Sequence, residues 1–212
     1  MTVRNSVKFV VAGILAVAAL AAHAVPTVTL SASGVTTTDV AGATVIDFNG
    51  GTCGYASCSG QYQIVLGSVS GQYAQPAGTS TRYLTVPNPS SNGSATFGLG
   101  TQADYFGLYW GSIDSYNSIT FLSGGSAIAT YSGTNLVGQF ANGNQVSFSS
   151  NRYNNFWFSG ETFDSVRLTS NGFAFESDNH AFRAASVPEP GSLALIGLGL
   201  VGLGLTRRRK AA

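Results

Sequence analysis

Residues 165–176 read Ser-Val-Arg-Leu-Thr-Ser-Asn-Gly-Phe-Ala-Phe-Glu. Val166 and Leu168 alternate with polar residues, which places them on one face of an extended chain. Asn171-Gly172 then supplies the pair best suited to a type I′ turn, and a second apolar run begins at Phe173. The stretch predicts a hairpin with strands over Ser165–Thr169 and Phe173–Glu176. The same period recurs upstream, where Tyr62, Ile64 and Leu66 share a face of the run Tyr62–Val69. Other strand candidates are Thr27–Ala32, Thr44–Asn49, Ser80–Val86, Ser94–Leu99, Asp104–Trp110, Ser118–Leu122, Ala127–Tyr131, Gln145–Ser149 and Asn154–Phe158. No uninterrupted helical period runs beyond about ten residues. The best short helix is Thr134–Ala141, weakened by Gly138.

About a dozen short strands predict an all-β domain, an antiparallel two-sheet sandwich of jelly-roll-like form. A right-handed β-solenoid is the alternative, but no self-similar period of about 20–30 residues is visible. The expected core is aromatic: Tyr105, Phe106, Tyr109, Trp110, Phe121, Phe148, Phe156, Trp157, Phe163, Phe173 and Phe175.

The chain has 212 residues, of which only 9% are charged and 27 are glycine. Its charges are segregated. Between Val25 and Ser186 four arginines face eight carboxylates, with no lysine, so this segment carries a net charge of −4. A surface poor in Lys and Arg does not neutralise phosphates, and nucleic acid is not an expected partner. Two cysteines, two histidines and one methionine argue against a Cys-rich scaffold, a zinc cluster or haem, and no cofactor is expected.

Both ends read as targeting segments. Arg4 and Lys8 precede an uncharged apolar run, Phe9–Ala22, and Ala22-His23-Ala24 fits the small-x-small pattern cut by signal peptidase. The expected signal helix is therefore residues 1–24, with an uncleaved anchor as the alternative reading. At the other end Val187-Pro188-Glu189-Pro190 is extended, because two prolines forbid regular helix. Ser192–Thr206 is uncharged and apolar, about 22 Å long as a helix and short of a hydrocarbon core of about 30 Å, though local thinning would let it span. Arg207, Arg208, Arg209 and Lys210 then form a cytoplasmic stop by the positive-inside rule. A plain membrane anchor would explain the helix and the cations but not the Pro-Glu-Pro. Within the helix, Gly197–Gly202 matches G-x-G-x-x-G, yet it lacks the preceding strand and following acidic residue of a dinucleotide site.

Pro-Glu-Pro, apolar helix and Arg cluster, in that order, resemble the PEP-CTERM sorting signal of Gram-negative bacteria, also known as the ice-binding protein C-terminal domain. The resemblance covers Val187 to about Lys210. It implies export, cutting near Pro-Glu-Pro by an exosortase (a membrane protease), and delivery to the cell surface or extracellular matrix in association with exopolysaccharide and biofilm. The domain organisation it implies is a signal peptide over 1–24, an exported β domain over 25–186 and a sorting tail over 187–212. Phe106–Phe121, with Phe173–Asn179, also resembles a family of exosortase-dependent surface proteins of undetermined role. That second resemblance covers roughly Asp104–Phe182.

Chemistry in the exported segment is sparse. Cys53 and Cys58 are expected to close a local disulfide that rigidifies a turn. His180 is the one histidine of the segment, no G-x-S-x-G elbow exists, and a surface or loop position is expected for it. Asp104, Asp114, Glu161, Asp164, Glu176 and Asp178 would support glycoside hydrolysis only if two of them met at the right spacing. Glu176 and Asp178, joined by Asp114 or Asn117, offer oxygens for Ca²⁺ without a calcium-loop pattern. Tyr109 and Trp110, with Tyr116, Asp114 and Asn117, are a candidate sugar platform, set against a core position for Trp110 and a turn over Asp114–Asn117. The reading that follows is a non-catalytic structural or adhesive surface protein, with a carbohydrate-binding module as the alternative and a secreted hydrolase behind it.

Overall fold

The computed structural model describes residues 25–186. The signal segment with Ala22 and Ala24, the Val187–Pro190 motif, the apolar helix and the Arg207–Lys210 cluster lie outside the described residues. The elements are β1 (Thr27–Leu30), β2 (Thr44–Ile46), β3 (Ser57–Gly60), β4 (Gln63–Val65), β5 (Tyr83–Val86), β6 (Gly93–Gly111), β7 (Asn117–Ser123), β8 (Ser126–Ser132), α1 (Gly133–Val137), a 3-10 turn (Gly138–Phe140), β9 (Arg152–Trp157), β10 (Phe163–Ser170) and β11 (Phe175–Ala184). The protein is all-β, and every strand pairing is antiparallel.

The eleven strands form one hydrogen-bonded network that changes partners along β6. The first half of β6 pairs with β3 and β10, and β10 continues to β7 and β8. The second half pairs with β11 and β9; β11 carries β5 and β2, and β9 carries β1. Opposite β10 the register on β6 jumps from Gly98 to Ala103, so the intervening residues bulge and the strand passes from one set of neighbours to the other. The expected separate strands Ser94–Leu99 and Asp104–Trp110 are thus one strand shared by both halves.

The two halves face each other across an aromatic core. Phe121 of β7 lies with its ring centroid 4.9 Å from Phe156 of β9, 5.0 Å from Phe163 of β10 and 5.8 Å from Phe106 of β6. This is a sandwich-like arrangement. Residues 105–111 of β6 are buried on both faces. Even-numbered Phe106, Leu108 and Trp110 belong to the inner cluster, where Trp110 stacks on Phe175 at 4.0 Å. On the opposite face Tyr105 and Tyr109 donate hydrogen bonds to Thr38 Oγ1 and the Ala77 carbonyl. Gly107 sits between these tyrosines because a Cβ there would meet the Tyr153 hydroxyl at 2.6 Å and its ring at 2.7 Å.

Several expectations are corrected. β10 and β11 do not form a hairpin: each pairs with β6, in different halves, and neither Asn171 nor Gly172 has the positive φ a type I′ turn requires. Gln145–Ser149 is loop and turn, held by Asn144 and Asn151 side chains, and Phe148 is exposed rather than core. The helix is shorter than expected and is capped by Ser132, which exchanges hydrogen bonds with Asn135. β3, which lacks an apolar alternation, was not anticipated.

Candidate functional site

Cys53 and Cys58 are joined by a disulfide. The loop it closes carries Tyr55, whose hydroxyl lies 2.6 Å from His180 Nδ1. His180 is fully buried on β11, edge-on to Phe48 and Phe106, rather than on the surface or in a loop. Burial holds its pKa down at about 3, so the ring is neutral at physiological pH. A neutral imidazole shut inside an aromatic cluster, with no carboxylate bonded to it, is a structural group.

The sugar platform does not form as expected. Tyr109, Trp110 and Asn117 have no accessible surface, so neither ring offers a face to a ligand. Trp110 is consumed by the stack on Phe175, and Asn117 is a strut: its amide donates to the Ala174 carbonyl and its carbonyl accepts from Ser170. The other two members, Asp114 and Tyr116, line an open cavity.

That cavity is a polar cleft of about 650 Å³. Four segments converge on it: the tight turn around Val69–Ala74, the connection from β6 to β7 at Ser112–Tyr116, the loop at Asn142–Gln145, and the entry into β11 at Phe173–Glu176. Glu176 lies at its base, held between β5 and β6 by pairing with Thr85 and Gly111. The Ala74 N–H donates to its Oε1 at 2.9 Å and the Ser112 hydroxyl to its Oε2 at 2.7 Å. Desolvation dominates nonetheless, and with the nearby Asp114 charge it raises the Glu176 pKa to about 8. Burial also raises Asp114, and the neighbouring Tyr116 hydroxyl pulls it the other way. Tyr116 itself donates to the Phe173 carbonyl at 2.8 Å.

Of the six candidate carboxylates, Asp114 and Glu176 share this cleft. Asp104 pairs with Arg183 at 2.9 Å, and Asp164 accepts the Gly124 N–H at 2.7 Å. Asp178 accepts from the Asn179 N–H at 2.7 Å and from the Thr81 hydroxyl at 3.4 Å, and burial raises its pKa to about 6. The calcium grouping of Glu176 and Asp178 is therefore not assembled, and among the described residues no three His, Cys, Asp or Glu side chains are placed to hold a metal. Sequence reasoning missed Gln72, Asn142 and Gln145, because exposed polar loop residues carry no local signal that marks them as meeting in space.

The tail provides the clearest comparison: the profile of the PEP-CTERM protein-sorting motif matches residues 186–210. The chain carries a PEP-CTERM sorting motif at residues 186–210. The motif implies export, processing by an exosortase at the membrane, and a place at the cell surface. No curated protein matches the chain. Among solved structures, CsCBM6-3 from Clostridium stercorarium, in complex with cellobiose, aligns at 15% identity and TM-score 0.37 over 67% of this chain and 94% of its own. CpGH89CBM32-6 from Clostridium perfringens aligns at 14% identity and TM-score 0.33 over 59% and 94%. Neither likeness is close enough to transfer a ligand to this chain.

Proposed function

We propose that this is a non-catalytic structural or adhesive component of the cell surface, freed from its membrane tether by exosortase and associated with extracellular polysaccharide and biofilm. The sorting motif over residues 186–210 carries this reading. The β domain, a jelly-roll-like two-sheet sandwich, is the cargo that signal peptidase and exosortase release from its two hydrophobic ends. The described residues support a non-catalytic role: His180 is sealed in the core, and both oxygens of Glu176 are engaged by the protein's own donors.

The test is the mass and location of the mature protein, with and without residues 187–212 and with and without the host's exosortase. Trimming at both ends and surface delivery that depend on tail and protease are expected. Unchanged display and mass in both deletions would overturn the reading. A second reading, that the domain binds carbohydrate, is favoured by one observation, the polar cleft floored by Glu176.

A further inference from the structure

The cleft has a definite chemistry. Its volume of about 650 Å³ falls within the range of about 300–1,000 Å³ usual for small-ligand sites. Two carboxyl groups, Asp114 and Glu176, line it, and no lysine, arginine or histidine does. An anionic ligand would meet the Asp114 carboxylate and further acceptors with no cation to offset them. A dedicated cation site would need more ligands than the described residues bring together there. What remains matched to this surface is a neutral molecule rich in hydroxyls, each of which both donates and accepts. The amides of Gln72, Asn142 and Gln145 add exposed donors and acceptors of the same kind.

The cleft also has a fixed aromatic wall. Tyr116 is 38% exposed, yet its hydroxyl is tied to the Phe173 carbonyl. Its ring lies so close to Gly172 that a Cβ there would sit 3.0 Å from one ring carbon. A ring held at its tip and against backbone offers a stacking surface at little entropic cost on binding.

We propose that this cleft binds a neutral sugar residue, stacked on Tyr116 and hydrogen-bonded through Asp114, and discriminates against uronic acids and other anionic glycans. The inference rests on the carbohydrate-binding reading above and adds to it a site and a charge class.

The test uses the processed protein recovered from the host and titration calorimetry at neutral pH. The probes are uncharged hexasaccharides (glucan, galactan, mannan and a neutral fraction of the host's own polymer) and a matched hexauronate. Tyr116→Ala should weaken neutral-sugar binding by about tenfold, the worth of one aromatic stacking contact. Tyr116→Phe keeps the ring and should retain binding, and Asp114→Ala should also weaken it. The hexauronate should bind the wild type at least about tenfold more weakly than the neutral sugars, given the Asp114 carboxylate at short range and no cation in the cleft. Preference for the hexauronate, or neutral binding indifferent to Tyr116→Ala in a variant that unfolds at the wild-type midpoint, would overturn the proposal while leaving the carbohydrate reading in place. Failure to bind any probe of either class would overturn both.

Discussion

Glu176→Gln isolates the electrostatics of the cleft floor. Glutamine keeps the shape of the carboxyl group: its Oε1 can accept from the Ala74 N–H, and its amide can donate to the Ser112 hydroxyl, the two partners Glu176 has now. What it removes is titration. Folding carries the Glu176 pKa from its ordinary 4.5 to about 8. The group is therefore protonated in the native protein and ionised in the unfolded chain across that interval, and the native state binds more protons. Stability from this group is fully present below about pH 4.5 and is lost as pH rises toward 8. At about 1.4 kcal/mol per pKa unit, the loss between about pH 5 and pH 8 is on the order of 3 kcal/mol.

Asp178, raised from 3.8 to about 6, adds a smaller loss of the same sign, complete by about its folded value. His180 acts in the opposite sense. Its pKa is lowered from 6.5 to about 3, so its contribution is present above 6.5 and is lost as pH falls. Both of these remain in the variant and cancel in the comparison. The assay is denaturant unfolding of the processed wild type and Glu176→Gln at about pH 5, 6.5 and 8. The variant should be within about 1 kcal/mol of wild type at pH 5 and more stable by roughly 3 kcal/mol at pH 8. A stability difference that stays constant over the range would refute the reasoning, because it would mean that Glu176 is solvated and ionised in the folded protein.

Three further perturbations separate the strong contacts from the weak. Tyr55→Phe deletes the hydroxyl on His180, whose Nε2 already has no partner, and should lower unfolding free energy by about 1–3 kcal/mol; equal stability would show that water replaces the bond. Gly107→Ala drives a methyl into the Tyr105 and Tyr153 hydroxyls and should cost about 1–3 kcal/mol, read from the denaturation midpoint, whereas Ala at half-buried Gly67, which has open space around its Cβ position but positive φ, should cost about 1 kcal/mol. Arg183→Ala breaks the ion pair with Asp104 and the contact over Trp157, but the arginine side chain is 36% exposed, and the change in stability should stay below about 1 kcal/mol.

The fold class was legible because period-two alternation is a local property: Val166 and Leu168 point inward on β10, and nearly every expected strand has a counterpart. The core position of Trp110 was legible for the same reason, since it shares a face with Phe106 and Leu108. What is not local was misread. Asn171-Gly172 has the composition of a hairpin turn, but turn chemistry acts only if the flanking strands are neighbours, and β6 claims both of them in different halves. The loop therefore crosses between the halves, and the side chains that tether the crossing, Asn117 to Ser170 and Ala174 and Tyr116 to Phe173, are those a turn-plus-platform reading assigned elsewhere. The cleft is a consequence of the same crossing. Bringing β11 in beside β6 sets Glu176 against the turn at Ala74 and the bend at Ser112, residues more than sixty positions away in sequence. A buried carboxyl group needs donors, and the donors come from whichever loops the topology delivers, so a site of this kind is set by strand order and not by any motif.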